Sequence, residues 1–213
     1  MKPPLFRNEF TAGNTFINDG AEALKGRVFV TKGTGNVLTI GKATKFRGSV
    51  EFQGNNNKVL IGENCHFRGD IIVKGDGQTV SFGDHSSTVD VYLLCQEECD
   101  VHIGKWCMFS REIEIRTTDA HSVIDRVTRK RINPAQSIRI GDHVWVGVGA
   151  IINKGAIVPS DCIVGAMAFV NGQFDEEGTI IAGTPAKIVK RGITWNRSRR
   201  DMFSRAQMNH WKE

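Results

Sequence analysis

The sequence has no run of 18 apolar residues, so no segment reads as a membrane-spanning helix. Residues 1–20 hold no apolar stretch of signal-peptide length, and Pro3-Pro4 interrupts what little there is. These absences set the expectation of a cytoplasmic protein. Cysteine is sparse and odd in number: Cys65, Cys95, Cys99, Cys107 and Cys162 show no regular pairing, which argues against a disulfide scaffold and for a reducing compartment. Cys95 and Cys99 lack a second cysteine or histidine pair at zinc-finger spacing. The formal charge of +5 permits an anionic partner, but no basic stripe interleaved with aromatics runs through the chain, so nucleic acid is not expected. Helical patterning is also scarce, while 23 glycines suit a fold made of corners. The 213 residues suffice for one domain with a proper core.

What the chain has instead is a period of six. Counting from Ile140, an aliphatic residue recurs at Val146, Ile152, Val158, Val164 and Val170 without a miss. Two places before each of these five stand Val144, Ala150, Ala156, Cys162 and Ala168, small in four cases. A helix repeats at three and four, and a half-buried strand at two. A period of six requires a chain that turns a corner every six residues and keeps one aliphatic inside each segment, which is a parallel β-helix. Three segments make a triangular coil, and stacked coils bond through their backbones at strand spacing. The small residue fits the tight approach to the corner.

A longer repeat precedes it. Leu38-Thr39-Ile40-Gly41, Val59-Leu60-Ile61-Gly62, Val80-Ser81-Phe82-Gly83 and Val101-His102-Ile103-Gly104 recur every 21 residues, each followed by a small residue at Thr44, Cys65, Ser86 or Cys107. Inward steps then read Phe46 and Phe52, Phe67 and Val73, Phe109 and Ile115, while the repeat after Phe82 is less regular. A 21-residue turn is an 18-residue coil with a three-residue bulge, and the Gly33–Asn36, Gly54–Asn57 and Gly75–Gln78 segments are polar turn formers at that spacing. Cys65, Cys107 and Cys162 therefore read as core. The next start, Ile138-Arg139-Ile140-Gly141, comes 37 residues after the previous one, so a segment has been inserted over 116–137. Long excursions from a tight solenoid are usually functional. The expected organisation is an N-terminal cap over 1–36, irregular apart from a strand near Val28 to Val30, a β-helix over 37–191, and a tail over 192–213. A short helix is expected from about Ser198, with Met202, Phe203 and Ala206 packing on the coils.

The insertion contains Asp119-Ala120-His121 and the basic run Arg129-Lys130-Arg131. A neutral imidazole near pH 7 can take a proton from a hydroxyl and return it to a leaving group, which makes His121 the candidate base. Trp145 directly precedes the inward Val146 and so faces outward, beside Gly147 and Gly149, as an oligomer contact or a flat wall for a ligand. His66, His85, His102 and His143 fall at outward or corner phases, so three converging imidazoles are not expected and no metal site is assigned.

At this point the residues resemble a family. Val144-Trp145-Val146-Gly147 with the steps after it, Asp119-Ala120-His121, and the closing Ala182-Gly183-Thr184-Pro185-Ala186-Lys187-Ile188-Val189-Lys190 resemble hexapeptide-repeat acyltransferases that use acetyl-CoA. Arg131-Ile132-Asn133, the Gly54–Lys58 turn and Ile193-Thr194-Trp195 resemble, more narrowly, bacterial capsule O-acetyltransferases acting on polysialic acid. The resemblance implies an all-β, left-handed parallel β-helix and a homotrimer with active sites between neighbours. It implies His121 as the general base for a sugar hydroxyl and Trp145 as the active-site tryptophan that positions the thioester or its oxyanion. It further implies backbone amides near Val148 and Ala166 for the pantetheine arm, and Lys187 and Lys190 for coenzyme A phosphates. Asp119, Arg116, Arg129 and Arg131 are the candidates for contact with an anionic polysaccharide acceptor. The expected function is O-acetyl transfer from acetyl-CoA to a bacterial surface polysaccharide, a capsule or lipopolysaccharide. Acetylation of a small molecule, an antibiotic or a simple sugar, is the alternative within enzymes; a non-catalytic β-helix is the alternative outside them.

Overall fold

The computed structural model describes residues 5–212. Its strands stack into a parallel solenoid with three faces, and the register of their pairing reproduces the sequence periods. Ile40 pairs with Ile61, Ile61 with Phe82 and Phe82 with Ile103, 21 residues apart each time. Ile103 then pairs with Ile140 across the insertion, and Ile140 with Val158 one 18-residue coil later. A 7-stranded sheet forms one face, and a 14-stranded sheet wraps the other two.

That wrapping is possible because the strands Ala23–Lys32, Lys45–Gln53 and His66–Lys74 run around a corner unbroken. Gly26, Gly48 and Gly69 sit at that corner with φ of +114°, +151° and +149°, stacked in register. A Cβ on Gly48 would lie 1.7 Å from the carbonyl oxygen of Gly69, so only glycine lets successive coils approach this closely.

The inward positions are as the period demands. Ile140, Val146, Ile152, Val158, Val164 and Val170 are all at most 2% exposed, and Val144, Ala150, Ala156, Cys162 and Ala168 at most 1%. The phenylalanines form a ladder along the axis, with Phe46 stacked on Phe67, and Phe82 edge-on to both Phe67 and Phe109. In the irregular repeat Thr88 takes the inward place between Phe67 and Phe109, its hydroxyl bonded to the backbone N–H and carbonyl of Arg68 at 2.7 Å each. All five cysteines are buried and free. Burial pushes the thiols of Cys65, Cys95 and Cys107 up to about 11, 12 and 12. The bulges are not merely solvent turns: Asn36, Asn57 and Gln78 are buried and linked, with Asn57 donating to Asn36 Oδ1 at 3.0 Å and the Gln78 N–H to Asn57 Oδ1 at 2.9 Å.

Two expectations change. The segment before residue 37 is not irregular: Phe6–Glu9, Thr15–Asn18 and Ala23–Lys32 pair in parallel with the coils that follow, so the solenoid reaches back to Phe6. Phe6–Glu9 and Thr15–Asn18 each have one partly buried residue and three exposed ones, so little apolar alternation marks them in the sequence. Of the anticipated cap, residues 1–4 lie outside the described residues, as does Glu213 of the tail. The tail helix is a single turn, Arg205–Met208, capped by Ser204, and Met202 is 85% exposed. The tail packs instead through Trp195 and Trp211, each 6% exposed. Among the described residues no helix is long and apolar enough to cross a membrane.

Candidate active site

The insertion leaves the solenoid after the strand Ile113–Arg116 and returns at Ile138, at the same corner that carries the bulges. It is a folded arm. Ile124 bridges antiparallel to Arg131, and Asp125 accepts from the N–H groups of Val127 and Thr128 and from the Thr128 hydroxyl. Asn133 closes it: its Oδ1 accepts from the Val123 N–H at 2.7 Å, and its Nδ2 donates to Asp119 Oδ2 and to the carbonyl of His121, both at 2.8 Å. The backbone of His121 is thereby held while the residue stays exposed.

The root of the arm is gripped from the coil on either side. Register places Leu94 and Asn153 against Arg116, so Glu97 of the preceding coil and Lys154 of the following one flank the residues after it. Arg131 donates to both oxygens of Glu97, and the Thr118 hydroxyl donates to the same carboxylate. The Arg131 and Thr118 bonds hold the Glu97 carboxyl below its ordinary value. On the other side Lys154 donates to Asp119, and with Asn133 it lowers the Asp119 carboxyl in the same way. Asp119 therefore serves Lys154 and Asn133.

Of the arginines expected to meet an acceptor, Arg131 is committed to Glu97 and Arg116 to Glu114 at 2.9 Å. Arg129 is exposed and in no ion pair among the described residues. A groove of about 670 Å³ runs along this corner between Lys32 and Glu98, where Lys74 is offset by Asp76 and Glu97.

Trp145 faces outward as expected, 38% exposed, between Met108 and Ile163 of neighbouring coils. Val148 and Ala166 lie one coil apart: the Met167 N–H donates to the Val148 carbonyl at 2.9 Å, and a Cβ on Gly147 would meet Ala166 N at 2.6 Å. Among the described residues neither the Val148 nor the Ala166 N–H donates to a protein acceptor, so both are free to meet a ligand. Lys187 and Lys190 are exposed on the strand Ala186–Arg191, which pairs antiparallel with Thr179–Gly183. Ile163 pairs with Ile180 and Ile180 with Lys190, three strand spacings from Trp145, roughly 14 Å along the axis.

The fold gathers the arm residues at one corner and Trp145 with its backbone cradle on another face, beyond the strand Ile138–Ile140. Among the described residues no hydrogen bond or aromatic contact joins His121 to Trp145, whose aromatic neighbour is Trp195.

Sequence reasoning missed Glu97 and Lys154, although the period could have found them, since both fall one coil from the arm's root. It also placed His143 at an outward or corner phase. His143 is 1% exposed, because its imidazole lies between Trp195, stacked at 4.2 Å, and Trp211, stacked at 5.0 Å. Its Nδ1 meets Asp161 Oδ1 at 2.8 Å, and Thr194 Oγ1 donates to that oxygen at 2.7 Å. The phase was outward; the tail covers it.

No protein-family model matches the sequence. The polysialic acid O-acetyltransferase of Escherichia coli O1:K1 is 36% identical over 102 residues, covering 48% of this chain and 33% of that protein. Its namesake from Neisseria meningitidis is 33% identical over 101 residues, 47% of each. The matched segments thus span a third to about half of these relatives. Among solved structures, the polySia specific acetyltransferase NeuO superposes with a TM-score of 0.84 at 32% identity, covering 93% of this chain and 92% of that one. The polysialic acid O-acetyltransferase OatWY superposes with a TM-score of 0.85 at 24% identity over 98% and 100%, and so speaks to the fold. The 32% identity with the polySia specific acetyltransferase along nine-tenths of both chains, together with the hexapeptide coils, establishes that this chain belongs to the hexapeptide-repeat, left-handed β-helix O-acetyltransferases, with polysialic acid O-acetyltransferases among its relatives.

Proposed function

We propose that the protein transfers an acetyl group from acetyl-CoA to a sugar hydroxyl of a bacterial surface polysaccharide, a capsule or lipopolysaccharide containing sialic acid, in the cytoplasm. The carrying observation is the match along nine-tenths of both chains to a polySia specific acetyltransferase. His121 is the base. Its imidazole takes the hydroxyl proton as the oxygen attacks the thioester carbonyl; the carbon–sulfur bond then breaks, and the proton passes to the departing thiolate. Trp145 borders the carbonyl, the Val148 and Ala166 amides hold the pantetheine arm, and Lys187 and Lys190 meet the phosphates. In this reading the working form is a homotrimer whose sites lie between neighbours; it is supported by the absence, among the described residues, of any hydrogen bond or aromatic contact joining His121 to Trp145. Arg129, in no ion pair among the described residues, gives the arm the charge that favours an acidic acceptor, while Arg116 and Arg131 are already paired with Glu114 and Glu97.

The test is thiol release from acetyl-CoA with polymeric and monomeric sialic acid acceptors, by wild type and His121→Ala. The variant is expected to stay folded and trimeric and to lose at least about a hundredfold in rate. Near-normal turnover excludes His121 as the base, and activity on the monomer alone decides for a small-molecule acceptor.

A further inference from the structure

The C-terminal tail is fastened by side-chain hydrogen bonds to the edge beside Trp145. The Trp195 Nε1–H donates to the carbonyl of His143 at 2.7 Å, two residues before Trp145 on the same coil. Its neighbour Thr194 reaches Asp161 in the coil after, and Arg197 donates to Ser87 Oγ at 2.8 Å and to the Cys107 carbonyl at 3.0 Å in the coils before. Cys107 precedes Met108, the strand partner of Trp145. Residues 194–197 thus splint four successive coils along the edge from which Trp145 projects. Trp195 lies 6.1 Å from Trp145 between ring centroids, tilted by 48°, so one indole limits the swing of the other. Trp195 in turn cannot turn away, because it is stacked flat on a buried His143 whose far face is closed by Trp211. Among the described residues this sandwich leaves His143 Nε2 and Trp211 Nε1 buried without a hydrogen-bond partner, a cost that plain packing of a tail does not need.

We propose that Trp195 is a positioning residue: it fixes the angle at which Trp145 borders the acyl group, and the His143–Trp211 sandwich holds Trp195 in place. The inference rests on the acetyltransferase reading of Trp145. Two measurements separate its failure from the failure of that reading.

The kinetic measurement compares Trp195→Ala, Trp195→Phe, Trp145→Ala and the double alanine variant, with folding checked by circular dichroism. Trp195→Ala is expected to lower kcat about tenfold, the scale of a slightly misplaced group, with the KM for acetyl-CoA within about twofold of wild type. Trp195→Phe, which keeps the stack, recovers most of the loss. On the Trp145→Ala background Trp195→Ala adds nothing, because the two act as one unit. Wild-type kcat in Trp195→Ala, or an equal further loss on the Trp145→Ala background, overturns the proposal. The substrate-free measurement is ¹⁹F NMR of protein labelled with 5-fluorotryptophan. The Trp145 resonance should move in folded Trp195→Ala and gain a solvent-isotope shift; an unchanged resonance overturns the proposal, whatever wild type does with any acceptor. Should Trp195→Ala not fold, Thr194→Val, which removes one splint bond, carries both readouts in the same directions.

Discussion

Arg131 donates to both carboxylate oxygens of Glu97, a residue 34 positions earlier, at 2.5 and 3.2 Å. The pair ties the free edge of the His121 arm to the coil beneath it. Being partly exposed and screened by solvent, it adds little to global stability, but it tethers the arm locally. Glu97→Gln is therefore expected to shift the melting temperature by only about 2 °C while lowering acetyl transfer several-fold.

The same pair predicts an acid response. A carboxylate whose folded value is depressed contributes stability above its ordinary value, which is lost as pH falls through the folded one. Hydrogen exchange across residues 118–133, corrected for intrinsic rate, should rise in wild type only below roughly pH 4. Glu97→Gln should show the raised exchange already at pH 6. Equal exchange in both at pH 6 would mean that the pair does not restrain the arm.

Lys154 and Asn133 share Asp119 Oδ2. Lys154→Met keeps the aliphatic stem and removes the charge, so the solenoid should fold normally while the segment carrying His121 loosens. The expected result is a loss of about tenfold in kcat with a nearly unchanged KM for acetyl-CoA, read by steady-state kinetics.

Thiol chemistry should be silent in the folded protein. The five cysteines are buried, and desolvation raises every one of their thiols. A disulfide reagent at pH 8 should react with none of them until denaturant is added, and then with all five. Rapid labelling of Cys99, 8% exposed, in native protein would show that the corner beside Glu97 opens.

Gly48→Ala is expected to destabilise by more than about 1 kcal/mol, because a side chain at φ +151° would meet the Gly69 carbonyl at 1.7 Å. Thermal unfolding measures this directly. Gly77→Ala makes the contrast: its added Cβ meets nothing within 4 Å, so only the cost of its φ of +71° remains.

The sequence by itself determined the architecture. A solenoid is a repeat of local decisions, one inward aliphatic and one small residue per corner, so Ile140 to Val170 and the Ile40, Ile61, Phe82 and Ile103 series could be read without any distant contact. It also located the arm, because an insertion in a periodic chain appears as a gap in the count. The period blurred only where Thr88 replaces an aromatic and where the first coils expose their outer face. Tertiary structure decided what grips what. That Arg131 binds Glu97 instead of standing free, that Lys154 serves Asp119, and that His143 is buried under Trp195 and Trp211 all depend on residues one or more coils away, or on a tail that folds back over 50 residues. Local patterning sets which face a side chain takes; only the packed chain sets what then covers that face.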